Sequence, residues 1–271
     1  MTSPSLRRLV GVVHLPALPG SPCSELGLDA IVEGAVQGAK VLAEAGYDLC
    51  MIENYGDVPF HRGAVPAITV ATMAIVAREV ARATSIPLGV NVLRNDGLSA
   101  LAIAHAVGAK AVRVNVLSGA RVTDQGVVEG DAAVLLRERA SLGAKRVEVW
   151  ADVDVKHSSP LGPQAPIEHE TADLVVRALA DAVLVTGEGT GHAVDGEKLA
   201  RVRAAVEASG RKVPVIVASG ATIAALPALA AHAHGVVVGS ALRANGKAGG
   251  PIDPRAAAAF ADAFREAFAS V

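Results

Sequence analysis

The sequence predicts an α/β protein that folds as a single closed (β/α)8 barrel, or TIM barrel, and three observations support this fold. Eight short runs rich in β-branched residues recur along the 271 residues, helix-forming stretches alternate with them, and each run ends on a polar residue or a glycine. Continuous apolar runs are typical of parallel strands buried on both faces, and strict strand–helix alternation is typical of α/β folds. The runs are residues 10–14, 49–53, 88–91, 112–115, 147–152, 183–186, 215–219 and 236–239.

Helices are predicted between these runs, where Ala-, Leu- and Glu-rich stretches show helical periodicity. Three of them end on a short repeat that reads Gly46-Tyr-Asp, Gly108-Ala-Lys or Gly143-Ala-Lys before the next strand. Glycine adopts the left-handed conformation that closes many helices, so the repeat predicts helix ends and tight turns. A last helix should begin at Asp253-Pro254, which suit an N-cap and a first turn. The clearest other stretches are residues 28–45, 67–83, 131–142, 168–180 and 198–209.

A doubly wound open sheet is the structural alternative. Such a sheet normally carries a glycine-rich phosphate loop after its first strand, and the residues that follow His14, Leu-Pro-Ala-Leu-Pro, form no such loop. The chain length of 271 residues suits one barrel, and no linker or change of composition divides it. We therefore expect residues 1–271 to form one barrel domain.

Composition narrows the function classes. The net charge is −2, aromatic residues make up 3% and no lysine–arginine cluster occurs, so a nucleic-acid partner is not expected. The first residues lead into the first strand without a long apolar segment, which predicts no membrane span and a cytoplasmic protein. Cys23 and Cys50 are expected to be free thiols. The Ala-rich outer helices leave self-association into a homo-oligomer open.

Function should lie at the carboxyl ends of the strands, because the connections that leave the strands are the long ones. Side-chain alternation places Arg113 and Asn115 on one face of the fourth run, and Glu148, Trp150 and Asp152 on one face of the fifth. Polar groups therefore point into the barrel. Arg113 and Glu148 are interpreted as a structural ion pair low in the barrel, with Asn115 and Asp152 nearer its mouth. The long connections are residues 15–27, 54–66, 116–130, 153–166 and 187–195.

The polar residues of these loops are either solvated surface or part of a binding site, and the sequence leaves both readings open for each. They are Asn95, Asp96, Ser118, Arg121, Thr123, Asp124, Gln125, Asp154, Lys156, His157, Glu188 and Thr190.

A phosphate pocket is predicted at the seventh and eighth strands. Many barrels hold phosphate with backbone N–H groups from the loops after these strands, and glycine lets the main chain approach an anion closely. Ser219-Gly220 and Gly239-Ser240 occupy these two positions, and Thr222 adds a hydroxyl. Gly187 and the run Gly189-Thr-Gly191 extend the predicted cradle from the sixth strand. The alternative is that the glycines only make tight turns.

Glu53 and Asp152 are the carboxylates best placed for proton transfer, since burial at a strand end can raise a carboxyl pKa toward neutrality. His14 is a candidate acid or base, with a structural histidine as the competing interpretation. We expect solvent to keep Lys156 protonated, which favours contact with a substrate anion over a Schiff base. The side chains expected to bind substrate are Asn91, Asn115, Lys156, His157 and Thr186.

The metal prediction is open. Glu53, Asp152, Asp154, His157 and His61 are candidate ligands, but no His-Glu-x-x-His or Cys-x-x-Cys motif supports zinc. Magnesium bound by one or two carboxylates and a substrate phosphate would leave little trace in a sequence. No resident cofactor is predicted, and Mg²⁺ is left as an option.

Five irregular segments make the chain resemble the BtpA/SgcQ family, and the resemblance extends from the first strand to the eighth. The family is associated with photosystem I biogenesis in cyanobacteria, while bacterial relatives occur with sugar-phosphate genes and carry the label of nucleoside triphosphatases. The resemblance implies no catalytic residue set that can be transferred. The segments are residues 11–22, 52–60, 89–96, 113–126 and 151–157.

Two functions of different class follow from the resemblance. The first is an enzyme acting on a phosphorylated sugar or nucleotide-like metabolite, by isomerase, aldol-type lyase or glycosyl-bond chemistry. The second is a non-catalytic biogenesis or stability factor for a membrane complex such as photosystem I. The sequence favours the enzyme, because an assembly factor needs neither inward polar strand ends nor a phosphate cradle. Triphosphatase activity is less supported, since no Gly-x-x-x-x-Gly-Lys-Ser/Thr loop is present.

Overall fold

The computed structural model describes residues 7–187 and 194–269. Eight of its strands are parallel and close into a barrel, because β1 pairs with both the second and the last strand of the chain. The predicted (β/α)8 architecture is therefore confirmed. In chain order the strands are β1 (Arg8–His14), β2 (Leu49–Glu53), β3 (Leu88–Asn91), β4 (Ala111–Val114), β5 (Ala120–Thr123), β6 (Gly126–Glu129), β7 (Glu148–Val153), β8 (Ser158–Pro160), β9 (Ala182–Val185), β10 (Val215–Val217) and β11 (Gly235–Val238).

The helices surround the barrel and follow the predicted stretches closely. The glycines of the repeat, Gly46, Gly108 and Gly143, all take positive φ values, of 79°, 77° and 65°, as the helix-ending prediction requires. Asp253 caps the last helix by accepting hydrogen bonds from the N–H groups of Arg255 and Ala256. The helices are α1 (Leu28–Glu44), α2 (Ala67–Ala83), α3 (Gly97–Val107), α4 (Ala132–Ser141), α5 (Ile167–Ala172), α6 (Gly196–Ala208), α7 (Leu226–Ala230) and α8 (Pro254–Ala267).

Two apolar layers hold the barrel together. Inward residues of the strands fill its interior around Trp150, which is 1% exposed, and outward residues pack against the helices. Gly89 lies on the inner side, where a Cβ atom would stand 2.7 Å from the Cε of Met51, so the missing side chain makes room for that methionine. The inner layer forms an apolar floor beneath the strand ends, and polar residues begin above it.

The loops after β4 and β7 are more ordered than the sequence indicates. Residues 116–130 and 153–166 read as irregular connections, yet they contain β5, β6 and β8, which pair into a separate antiparallel sheet. A small cluster of Val116, Val128 and Val155 packs in this region. The strands are short and largely polar, and their apolar alternation is too weak to identify them.

One predicted helix is interrupted. The stretch at residues 168–180 forms α5 and then a π-helical segment, Asp173–Arg177, instead of one regular helix. Within residues 7–187 and 194–269, no helix combines the length and the hydrophobicity needed to cross a bilayer. Cys23 is exposed and Cys50 is buried, and both are free thiols as expected.

Candidate active site

A cavity of about 420 Å³ opens at the carboxyl ends of the barrel strands. Val12, Ala218 and Val237 of the apolar inner layer form its floor. The loops after β10 and β11, residues 219–222 and 239–241, form one wall. The polar side chains around the rest of the mouth are His14, Glu53, Tyr55, Arg94, Arg113, Asn115, Lys156 and His157.

His14 ends β1, has a side chain that is 8% exposed, and is held in one orientation. Its Nδ1 accepts a hydrogen bond from the Gly249 N–H at 3.3 Å, and its ring packs against Tyr55 with 4.6 Å between centroids. Burial, with the positive charges of Arg243, Lys156 and Arg113, lowers the pKa of His14 to about 3. The imidazole is therefore neutral near pH 7. Because Nδ1 is the acceptor, the proton lies on Nε2, the nitrogen that faces Glu53.

Glu53, at the end of β2, is 7% exposed and lies between a neutral and a charged neighbour. One carboxylate oxygen is 3.7 Å from the Nε2 of His14, and the other is 3.9 Å from an Nη of Arg113. Both distances exceed those of a direct hydrogen bond. Glu53 is thus oriented in the cavity, and its oxygens make no short contact with any residue that the structure describes.

Asp152, unlike Glu53, has both carboxylate oxygens in short hydrogen bonds. Its two oxygens accept hydrogen bonds from the Nε and Nη2 of Arg113 at 3.0 and 2.9 Å, and Asn115 donates a third at 2.8 Å. The Asp152 side chain is 0% exposed. Asn91 extends this network by donating to Asn115 and to the Arg113 carbonyl oxygen. The two carboxylates therefore differ, with Glu53 facing the cavity and Asp152 fixed behind it.

The predicted ion pair between Arg113 and Glu148 is wrong. Glu148 instead accepts a hydrogen bond from the indole Nε1 of Trp150 at 2.8 Å, while Arg113 reaches upward to Asp152. Alternation correctly places Arg113 inside the barrel, but the length of an arginine side chain lets its charge lie well above its own Cα. Arg113 therefore belongs to the mouth and not to the bottom of the barrel.

Two more cationic side chains line the cavity. Arg94 follows β3, is 6% exposed, and donates from Nη2 to the carbonyl oxygen of Lys156 at 2.8 Å. Lys156 follows β7 and is half-buried; burial and the nearby Arg113 lower the pKa of its ammonium group, against the opposing effects of Glu53 and Asp152. The sequence predicts a solvent-exposed ammonium group, whereas the structure half-buries it. Sequence reasoning missed Arg94, whose signal was a basic residue three positions beyond a strand end.

The two glycine-containing loops meet on the same side of the cavity. Among the described residues, the backbone N–H groups of Gly220, Ala221, Ser240 and Ala241 donate to no protein acceptor. Gly220 has a φ of +70°, so its turn favours glycine. A Cβ atom on Gly239 would lie 2.7 Å from the His14 ring. The presence of glycine at each position thus has a local steric reason. Together the two loops present a row of backbone N–H donors at the cavity wall.

Other predicted site residues lie behind the cavity or at its edge. Thr186 is fully buried and accepts a hydrogen bond from the Lys156 N–H, so it supports that loop. Gly187 is buried next to it. His157 is exposed and lies at the cavity edge. The proposed extension of the cradle, Gly189-Thr-Gly191, and the loop residue Glu188 lie outside the described residues.

Several loop residues singled out in the sequence form structural hydrogen bonds or ion pairs within and between the loops. Asn95 exchanges hydrogen bonds with the main chain of Val116, and Asp96 caps α3 through the Ser99 N–H. Arg121 pairs with Asp154 and Glu170 beside the small antiparallel sheet. Asp154 also pairs with Lys198 at 2.6 Å. Within the described ranges, no group of three or more His, Cys, Asp or Glu side chains is arranged to hold a metal ion.

The fold and this site define a (β/α)8 barrel protein with a polar cavity at the carboxyl ends of its strands. The BtpA family model matches residues 5–266, and the chain belongs to the BtpA family. An uncharacterized protein of Thermococcus kodakarensis is 46% identical, over 88% of each chain. The photosystem I biogenesis protein BtpA of Synechocystis is 40% identical, over 97% of this chain and 89% of its own.

Solved structures with the same fold are distant in sequence. Thiamine phosphate pyrophosphorylase from Pyrococcus furiosus matches with a TM-score of 0.57 and 13% identity, over 97% of this chain and 98% of that one. Tryptophan synthase from Mycobacterium tuberculosis matches with a TM-score of 0.59 and 18% identity, over 97% and 93%. At these identities the likeness establishes the barrel fold alone.

His14 should make the free energy of unfolding depend on pH. Its pKa falls from 6.5 in the unfolded chain to about 3 on folding, so between these values the unfolded state binds the proton and unfolding becomes easier as pH decreases. His14→Gln removes this titration, so the slope of the free energy of unfolding against pH should decrease by up to about 1.4 kcal/mol per pH unit. Urea unfolding at a series of pH values across this range measures that slope. His169→Gln, at an exposed position, should keep the wild-type slope; equal slopes for wild type and His14→Gln would contradict the prediction.

Asp152→Asn should lower the free energy of unfolding by about 3 to 5 kcal/mol, because it leaves the Arg113 charge buried without its partner. Replacing both residues, as Arg113→Met with Asp152→Leu, should recover part of this loss. Chemical denaturation provides the measurement. The matched control is Asp173→Asn, whose ion pair with Arg177 is exposed and should be worth less than about 1 kcal/mol. Equal effects of Asp152→Asn and Asp173→Asn would argue against a structural role for the buried pair.

Proposed function

We propose that this protein is an enzyme acting on a small phosphorylated metabolite, either a sugar phosphate or a nucleotide-like compound. The phosphate would bind the loops after β10 and β11, and Glu53 would transfer the proton. One observation carries the proposal: these loops share a single cavity with Glu53 and His14. A ligand held by its phosphate at residues 219–222 and 239–241 would lie next to the carboxylate.

The chemistry assigned to each side chain follows from its surroundings. Within residues 7–187 and 194–269, Glu53 is the carboxylate of the cavity whose oxygens make no short protein contact, so we assign it the role of acid or base. The neutral His14 presents Nε2–H beside it and would donate a hydrogen bond to a substrate oxygen. Asp152 would act through Arg113 as a positioning residue, together with Asn115 and Asn91.

Isomerase, lyase and glycosyl-bond chemistry all need such a proton transfer, and the proposal covers the three. It requires no resident cofactor. If Mg²⁺ accompanies the substrate, Glu53 is the cavity carboxylate that would join a substrate phosphate in binding it.

A biogenesis or stability factor is the second candidate function. It is favoured by one finding, the 40% identity to the photosystem I biogenesis protein BtpA of Synechocystis. The two candidates make different demands on the cavity, because an assembly role needs no turnover of a small molecule. Turnover therefore separates them.

Phosphate binding is tested first with inorganic phosphate and a panel of sugar phosphates. A ligand that binds only the native state raises the unfolding temperature, and we expect this for the wild-type protein. Ser240→Asp places a negative charge on the phosphate wall and should weaken binding at least about tenfold, or about 1.4 kcal/mol, in calorimetric titrations. Gln37→Glu makes the same charge change on the exposed face of α1 and should bind normally. If none of these anions stabilises the wild type, the phosphate site is refuted.

Catalysis is tested by incubating the protein with the same panel and following products by NMR. Glu53→Gln keeps the shape of the side chain but cannot transfer the proton, so turnover should fall by about 10² to 10⁴ with little loss of phosphate affinity. Glu33→Gln, on the exposed face of α1, serves as the control. Wild-type binding without turnover of any compound would instead favour the biogenesis factor.

A further inference from the structure

The cavity wall across from the phosphate loops is cationic. Around the closed ring of eight strands, β3 stands four positions from β10, and β4 stands four positions from β11, so each pair faces the other across the mouth. Arg94 follows β3 and Arg113 lies on β4, while Lys156 follows the next strand, β7. The mouth thus has a wall of backbone donors on one side and three cationic side chains on the other.

Arg94 is the unusual member of this group. It is 6% exposed and faces the cavity, yet within residues 7–187 and 194–269 it forms no ion pair with a carboxylate. Arg113, by contrast, is matched by Asp152. An arginine charge removed from water without an anionic partner is costly to the folded protein. Such a cost is offset when an anion binds.

Among the described residues that line the cavity, cationic side chains outnumber carboxylates. These residues include three cations, Arg94, Arg113 and Lys156, but only one carboxylate, Glu53, since His14 is neutral. Asp152 behind Arg113 raises the negative count to two. Buried Arg243 adds a further cation beside His14. This distribution of charge favours an anion on the side of Arg94 as well as on the side of the loops.

Hydrogen bonds connect the two loops that carry Arg94 and Lys156. Arg94 donates to the carbonyl oxygen of Lys156, which connects the loop after β3 to the loop after β7. Thr186 accepts the hydrogen bond from the Lys156 N–H and fixes the same loop from the other side. The guanidinium of Arg94 is thus held in the wall beside the anchored main chain of Lys156, as an anion-binding site requires.

We propose that Arg94 and Lys156 form a second anion subsite, and that the substrate carries two anionic groups. Its phosphate would bind the loops after β10 and β11, and a carboxylate or a second phosphate would bind Arg94. The carbon skeleton between them would pass Glu53. This inference rests on the proposed function, whose substrate class it narrows from any phosphorylated metabolite to a doubly anionic one. A cavity of about 420 Å³ suits a skeleton of a few carbon atoms.

The test compares ligands with one and two anionic ends in calorimetric titrations of the full chain. Propylphosphonate has one end; propane-1,3-bisphosphonate and 3-phosphonopropionate have two, and longer homologues vary the distance. We expect the best two-ended ligand to bind at least about tenfold more tightly than propylphosphonate. Arg94→Gln should abolish this advantage and leave the affinity for propylphosphonate near that of the wild type.

Controls separate a lost charge from a damaged fold. Arg82→Gln removes an exposed arginine of α2 and should preserve the tenfold advantage. Arg94→Lys keeps a charge and should retain part of it. Lys156→Met removes the cation on the loop after β7 and should also reduce the advantage of the two-ended ligands. Unfolding temperatures show that each variant is folded.

The outcomes distinguish this inference from the proposed function. If Ser240→Asp abolishes propylphosphonate binding but no two-ended ligand binds more tightly than propylphosphonate, the second subsite is overturned and the phosphate site stands. Equal loss of one-ended and two-ended binding in folded Arg94→Gln would also overturn it. If Arg94→Gln weakens the two-ended ligands and Ser240→Asp weakens none, the second subsite stands and the phosphate site fails.

Discussion

Arg113 and Asp152 form a doubly hydrogen-bonded ion pair between the neighbouring strands β4 and β7, and the polar side chains of the mouth are arranged around it. Asn115 completes the carboxylate's contacts, and Asn91 bonds in turn to Asn115. The remaining Nη of Arg113 faces Glu53 at 3.9 Å. A buried pair of this kind adds little net stability but is costly to break, so it fixes positions more than it strengthens the fold.

The apolar floor below the mouth determines how strongly these charges act. Trp150, Val12 and Val237 exclude water from the barrel interior, and the charges above them are weakly screened. This explains why His14 stays neutral beside three cations and why burial lowers the pKa of Lys156. The same environment that makes unpaired charge costly would make an anionic ligand an effective partner.

Sequence periodicity predicts the barrel and most strand ends, because alternation follows directly from the geometry of a strand. It places Glu53, Asn115 and Asp152 on the inner face correctly. Periodicity does not show how far a long side chain extends along the barrel axis, so it pairs Arg113 with Glu148 and not with Asp152. Periodicity fails to identify Arg94 for another reason. This residue lies in the loop beyond β3, where side chains follow no regular alternation. The pairing of β5 with β8 is formed between distant loops and has no local signal.

The small antiparallel sheet joins connections that leave two different barrel strands, since β5 and β6 follow β4 whereas β8 follows β7. Lys156 lies two residues before β8 begins at Ser158, and Arg121 on β5 bonds to the Ser158 hydroxyl. Movement of Lys156 would therefore have to carry the hairpin with it or break the hydrogen bonds between β5 and β8. This side of the mouth is therefore preformed, and a ligand would meet the main chain of Lys156 already fixed in place by the hydrogen bonds between β5 and β8.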